Sequence, residues 1–345
     1  MYRIGIGIEY SMNMKQNSWS LCIILLCLLV LCILWYIVEL KLFPLYREGY
    51  HNGNNSHDAI FDKDILISEW TIESKIPNII WTFWDGDIPP FVQRCIQSWK
   101  DYNPNYKIVV LDKKNLSNFL PELDLCGIKG ANDMIQRLAD YTRIHILSKY
   151  GGFWFDTSII CQAPNTWIHD IQNKTGVEFI GYYNDEKTAA QYKTSIPVIE
   201  NWCFACVPGC MFAQNWRDEF MKMLDYSNPN EYVTVLFDSG LPPQNNDRYD
   251  YLTMHLSGQK VLYDNLRKGN TNQYMNSMYL IKAEDTAFIH YTENGKLEWD
   301  TNKTFNKILR KQHADQPILK LIGITRDDII DRCTKRNIDI ETLFT

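Results

Sequence analysis

Residues 132–158 read NDMIQRLADYTRIHILSKYGGFWFDTS, and their hydrophobic period changes at the two glycines. Before them, Met134, Ile135, Leu138, Ile146 and Leu147 recur at helical spacing, so Asn132–Lys149 predicts an amphipathic helix. Asn132 can cap it, and Asp133 suits the positive end of its dipole. Gly151 supplies the left-handed stop. After the glycines, Phe153–Phe155 is a short apolar run of the kind that forms a strand buried on both faces. Asp156 then stands at that strand's carboxyl end, the edge of an open α/β sheet where ligands bind. Thr157 and Ser158 beside it are small oxygen donors, a setting that suits a hard divalent cation bridging to phosphate, although a lone aspartate after a strand is also a common turn former. Asp140 and Arg143, three residues apart, leave the helix from neighbouring points on one face. Two readings are open for them: an ordinary surface pair, or two arms of a site at the strand end.

The flanking segments extend the same architecture. Upstream, IPNIIWTFWDG (76–86) is a nearly continuous apolar run closed by Asp85-Gly86, which predicts a buried strand. PPFVQRCIQSWKDYNP (89–104) has helical spacing at Phe91, Val92, Cys95, Ile96 and Trp99, and YKIVVLD (106–112) is a second apolar strand. Strand, helix and strand within so short a span form a βαβ unit, so the chain predicts an α/β fold with a mostly parallel, mixed sheet flanked by helices. Downstream, EFIGYY (178–183) and NWCFACV (201–207) read as strands, and WRDEFMKMLDYS (216–227) and DYLTMHLSG (250–258) as helices.

Four domains are expected along the 345 residues: a tail over 1–18, a membrane span over 19–40, a stem over 41–75 and a catalytic domain over 76–345. From Trp19 to Val38 the chain carries no charge, and at about 1.5 Å per residue it covers a hydrocarbon core of about 30 Å. A cleaved signal peptide has a shorter apolar region of about 7–15 residues and a small-residue cleavage site; here Glu39, Lys41 and Pro44 follow. Orientation stays open, because Arg3 and Lys15 before the span balance Lys41 and Arg47 after it. The expected location is therefore a single-pass membrane: Golgi or endoplasmic reticulum as type II in a eukaryote, plasma membrane in a bacterium. The net charge of −6, without clustered Lys and Arg, excludes a nucleic-acid phosphate tracker. Cys203, Cys206 and Cys210 are read as partly buried thiols in a strand and turn in preference to a zinc site, since no second Cys or His pair follows at finger-like spacing.

Together, IPNIIWTFWDG, LADYTRIHILSKYGGFWFDTS and IENWCFACVPG (199–209) resemble the capsular polysaccharide synthesis proteins and the related family 32 sugar transferases, whose signature is a D-x-x-R helix leading into G-G-x-x-x-D. The resemblance implies a GT-A-like nucleotide-sugar-binding fold and a divalent metal, Mn²⁺ or Mg²⁺, held on the diphosphate of a nucleotide-sugar donor. It makes Asp156 the first aspartate of a DxD-like motif, assigns Asp140 and Arg143 to the donor sugar and ribose, and Ile80, Trp81 and Thr82 to a strand tip that holds the base. Many relatives carry a second aspartate where this chain has Ser158, which would add an oxygen ligand but no charge. HYTENGKLEW (290–299) is similar in residue order, not in spacing, to an H-x-x-G-x-x-K-P-W element of related retaining transferases. That likeness implies His290 as a metal ligand and Lys296 as a phosphate contact; the alternative is a polar turn after a strand. Asp247, Asp250 and His255 are candidates for acceptor-side contacts, with a structural role the favoured alternative.

The function expected is a membrane-anchored, retaining and metal-dependent glycosyltransferase acting on a glycan or glycoconjugate acceptor. The rival expectation is a catalytically inactive, membrane-anchored glycan-binding or scaffold protein of the same fold, for which Ser158 is the best argument.

Overall fold

The computed structural model describes residues 75–123, 135–187, 196–243, 248–268, 274 and 276–344. The expected tail, span and nearly all of the stem lie outside these residues, as do Asn132, Asp133 and Met134 at the start of the predicted helix. Among the described residues no helix is long and apolar enough to cross a membrane.

The βαβ unit forms as the sequence pattern requires. Strands β1 (Ile79–Phe83) and β2 (Lys107–Leu111) run parallel on either side of the helix Pro90–Tyr102 in the chain. Every residue of β1 is buried, as expected of a strand covered on both faces. Strand β3 (Gly152–Phe155) joins β1 in parallel, with Ile80 opposite Phe153 and Trp81 opposite Trp154. Strand β4 (Ile159–Cys161) leaves the sheet, while β5 (Phe179–Asn184), β6 (Val198–Cys206) and β7 (Met278–Lys282) complete it in the order β2-β1-β3-β6-β5-β7. Only β6 runs against the others, pairing antiparallel with both β3 and β5. The sheet is thus mixed and mostly parallel.

Two glycines set the turn into β3. Gly151 (φ 63°) and Gly152 (φ 90°) both occupy the left-handed region. A Cβ on Gly151 would lie 2.6 Å from the Pro208 nitrogen and 2.7 Å from the Cys206 oxygen, so the helix Ile135–Tyr150 can pass this close to the end of β6 only with glycine there. The indole of Trp81 locks the same turn by donating to the Gly151 carbonyl at 2.9 Å. Trp81, Trp154, Phe153 and Phe155 are essentially without solvent contact, each contributing about 1.5–3 kcal/mol of apolar burial.

A hairpin, β8 (Thr292–Glu293) with β9 (Lys296–Leu297), and a last strand, β10 (Ile318–Lys320), follow. Strand β10 pairs antiparallel with β4, placing Lys320 opposite Ile159. A second core of Phe91, Cys95, Ile160, Phe305, Leu319 and Ile329 packs around this pair, beneath the helices Thr301–Leu309 and Gly323–Arg336.

The segment Thr286–Ile289 that precedes His290 is not a strand: it forms tight turns and a single 3-10 turn over Ile289–Tyr291. Phe288 and Ile289 donate back to Ala283 and Thr286, and the Thr286 hydroxyl donates to the Lys282 carbonyl, so backbone bonding is local and no partner strand is needed.

Candidate active site

Asp156 emerges from β3 where the sheet's central parallel strands end. Its backbone N–H donates to the Trp202 carbonyl at 2.9 Å, extending the β3–β6 ladder by one residue, and its carbonyl accepts from Ile159 as the chain turns into β4. The side chain is about a quarter exposed, accepts from the Trp154 indole at 3.1 Å and the Lys320 ammonium at 2.9 Å, and forms an ion pair with the Arg143 guanidinium at 3.3 Å.

Arg143 is the hub. From the buried face of its helix it contacts Asp140 at 3.2 Å and Asp156 at 3.3 Å, and it donates to the Asn201 carbonyl at 2.5 Å. Its guanidinium also lies over the Trp154 ring, 5.0 Å from the centroid. Asn201 answers from β6 by donating its side-chain amide to Asp140 at 3.0 Å. Asp140 and Arg143 therefore do pair with each other, but as buried residues tied to Asp156 rather than as surface decoration.

The two carboxylates are tuned in opposite directions. Burial raises Asp140 to about 6, against the pull of Arg143 and Arg137 and with help from Asp156. Burial also opposes ionisation of Asp156, but Lys320 and then Arg143 outweigh it and hold that carboxyl below its usual range. Such a split is common where a site handles charge. Tyr251 stands half-exposed at the rim, its phenol raised by partial desolvation and then by Asp140 and Asp156.

Lys320 closes the site from below. Its ammonium donates to Asp156 at 2.9 Å and to the Ser158 hydroxyl at 2.7 Å, and the Ser158 hydroxyl in turn donates to the Leu321 carbonyl at 2.7 Å. Burial and ladder pairing fix this lysine: its N–H donates to Ala287 at 3.0 Å, and Leu321 donates to Ser158.

The other predicted residues sit elsewhere. Ile80, Trp81 and Thr82 are wholly buried within β1, so they wall the core and the strand tip that reaches the surface is Trp84–Asp85. His290 is fully buried against Tyr291, ring centroids 4.1 Å apart, and burial followed by His313 pushes it down to about 3, leaving a neutral imidazole. Lys296 is exposed on the β8–β9 hairpin. Asp250 pairs with Arg248 at the surface, 3.6 Å away, while His255 is buried and bonded to Glu200 at 3.2 Å. Burial disfavours ionisation of Glu200, but Lys187 and His255 reverse this and hold it strongly anionic. Asp247 lies outside the described residues. Cys203, Cys206 and Cys210 are free, buried thiols.

A divalent metal fits these residues poorly. Asp156, the one carboxylate of the expected ligand set, already carries two cations, and the Ser158 oxygen is turned to Lys320. His290 is enclosed in the core. Among the described residues, no group of three or more His, Cys, Asp or Glu side chains is arranged to hold a metal ion. Sequence reasoning missed Lys320 and Asn201. A lysine inside the apolar run ILKLI (318–322) and the polar pair Glu200-Asn201 leading into an apolar strand were the available signals.

The sequence model of a family described as capsular polysaccharide synthesis protein matches residues 66–241, a segment that holds Asp140, Arg143, Asp156, Ser158 and Asn201 but not Lys320. The O-glycosyltransferase braB of Annulohypoxylon truncatum is 23% identical over 288 residues, covering 72% of this chain and 64% of braB. The glycosyltransferase afumC of Aspergillus fumigatus is 27% identical over 122 residues, 31% of each chain. The chain thus spans less than two thirds of the length of either relative. Among solved structures, the galactosyltransferase LgtC in complex with donor and acceptor sugar analogues aligns with a TM-score of 0.37 at 11% identity, covering 74% of this chain and 95% of that one. Mouse xyloside xylosyltransferase 1 aligns with a TM-score of 0.39 at 8% identity, covering 73% and 99%. With its family match extending over half its length and enclosing the Asp140–Arg143–Asp156 constellation, the chain belongs to the capsular polysaccharide synthesis protein family.

Proposed function

We propose that this protein is a glycosyltransferase of GT-A type, moving a sugar from a nucleotide-sugar donor to a hydroxyl of a glycan or glycoconjugate, and tethered to a membrane by the apolar segment 19–40. The observation that carries the reading is the bridging of Asp140 and Asp156 by Arg143 at the carboxyl edge of the sheet. Both curated relatives are named as glycosyltransferases, which agrees with it.

In the reaction, the bond from the sugar's C1 to the β-phosphate oxygen breaks and its electron pair stays on that oxygen. The acceptor oxygen forms the new bond to C1. With retention of configuration, the acceptor approaches on the face the phosphate leaves, and its proton passes to the departing phosphate oxygen. Charge grows on the leaving diphosphate, so fixed positive groups near it lower the barrier. Arg143 orients Asp156 and Asp140, and Asp140, its carboxyl raised by burial, accepts hydrogen bonds from donor hydroxyls. Tyr251 at the rim offers a face for a sugar ring. A divalent ion, if one joined this site, would supply further neutralisation of the diphosphate; no step above requires it.

The test is turnover of a panel of nucleotide sugars by the full-length chain in detergent, read as nucleoside diphosphate released, with and without Mn²⁺. Wild type should turn over at least one donor and Asp156→Ala should lose that activity. A panel neither bound nor turned over in either condition favours the inactive glycan-binding protein.

A further inference from the structure

We propose that Lys320 takes the place of a divalent cation at this site, so that the donor diphosphate is neutralised by a side-chain ammonium and turnover proceeds without metal. The proposal rests on the transferase reading above. It begins from position: the Lys320 nitrogen stands between Asp156, at 2.9 Å, and the Ser158 oxygen, at 2.7 Å, two of the three residues expected to ligate the ion, the third, His290, being enclosed in the core.

The hydrogen-bond directions define what that pocket accepts. Ser158 donates to Leu321 at 2.7 Å, so its oxygen faces Lys320 with lone pairs. Asp156 is a carboxylate fixed from the far side by Arg143 and Trp154. The two groups therefore form an acceptor pair aimed at one cation, and an ammonium already fills it. Of its three N–H groups, two are spent on Asp156 and Ser158, and no third acceptor is found among the described residues. That third N–H is available to a phosphate oxygen arriving over the partly exposed Asp156 carboxylate.

Charge balance explains why serine at 158 and lysine at 320 belong together. Two carboxylates holding a divalent ion sum to zero; one carboxylate with one ammonium does too. Removing one negative charge at Ser158 and replacing a double positive charge with a single one leaves the donor's diphosphate facing the same net field. Adding a divalent ion beside the existing Lys320 and Arg143 would instead crowd cations around one carboxylate. Lys320 is also not a lysine that could readily swing aside. Its backbone is fixed by the β4–β10 ladder and by donation to Ala287, and its side chain is 9% exposed. Chemically, Lys320 would donate to the β-phosphate oxygen that keeps the electron pair when the C1–O bond breaks, remaining protonated throughout. The acceptor's proton goes to the phosphate, so no further reactant is needed.

The experiment uses the full-length chain in detergent, with UDP and GDP as binding probes and their sugars for turnover, each in EDTA and in Mn²⁺. Wild type should bind and turn over equally in both. Lys320→Ala should weaken diphosphate binding about tenfold to a hundredfold in both, the loss of one charge-assisted hydrogen bond. Lys320→Ala combined with Ser158→Asp should recover binding in Mn²⁺ and not in EDTA, because the pocket then holds two carboxylates. Loss of wild-type binding and turnover in EDTA with recovery in Mn²⁺ would overturn the proposal while leaving the transferase reading intact. So would a folded Lys320→Ala that binds as wild type does. If neither nucleotide binds and no sugar is turned over in either condition, the transferase reading fails and this one with it. Should Lys320→Ala fail to fold, the wild-type comparison between EDTA and Mn²⁺ still decides.

Discussion

Asp140→Asn is the perturbation whose size can be worked most directly from the structure. In the folded protein burial lifts this carboxyl from an ordinary 3.8 to about 6. Between those values the folded state holds more protons than the unfolded one, so stability falls as pH rises through that window. At about 1.4 kcal/mol for each pH unit, the interval of about 2 units costs about 3 kcal/mol, fully expressed above pH 6. Asparagine cannot ionise, and its side-chain carbonyl still accepts from the Asn201 amide and from Arg143, which bond the Asp140 carboxylate at 3.0 and 3.2 Å. Urea unfolding followed by tryptophan fluorescence from pH 4 to pH 7 should therefore show wild type losing about 3 kcal/mol relative to the variant, with the divergence complete near pH 6. Asp156, whose carboxyl is depressed, contributes the opposite slope: its stabilisation is present above its unfolded value and is lost as pH falls. It is common to both proteins, so the difference between them isolates Asp140. Parallel profiles would refute the claim that Asp140 is destabilised as an anion.

Two further outcomes follow from the same geometry. Arg143→Met should cost about 3–5 kcal/mol of stability in denaturant unfolding, because it leaves Asp140 and Asp156 buried without the guanidinium that neutralises both. Gly151→Ala should lower the thermal midpoint markedly, since its Cβ would meet backbone at 2.6 Å in a left-handed conformation, whereas Gly176→Ala, also at positive φ but with open space around it, should cost only about 1 kcal/mol.

Much of the fold was legible because its signals are local. The helix ending at Gly151, the apolar run of β3 and the βαβ unit around Pro90–Tyr102 each rest on periodicity and turn residues a few positions apart. Asp140, Arg143 and Asp156 were legible for the same reason: a short helix, a turn and a short strand fix their relation. What could not be read depends on contacts across the chain. Lys320 meets Asp156 only because β10 returns to pair with β4. The reversed direction of β6 is equally invisible in an apolar run that would suit either sense. That local turn bonding folds His290 into the core is not legible from a polar residue after an apolar run. Nor does a resemblance in sequence say how far along β1 the surface lies, so the burial of Ile80–Thr82 could not be read in advance.

Sugar transfer at the Arg143–Asp156 site is read by mass spectrometry of a glycan and glycoconjugate acceptor library incubated with the full-length chain and a panel of nucleotide sugars. At least one acceptor should gain the mass of one sugar, and none should with Asp156→Ala. Acceptors that bind the protein yet keep their mass with every donor would contradict it.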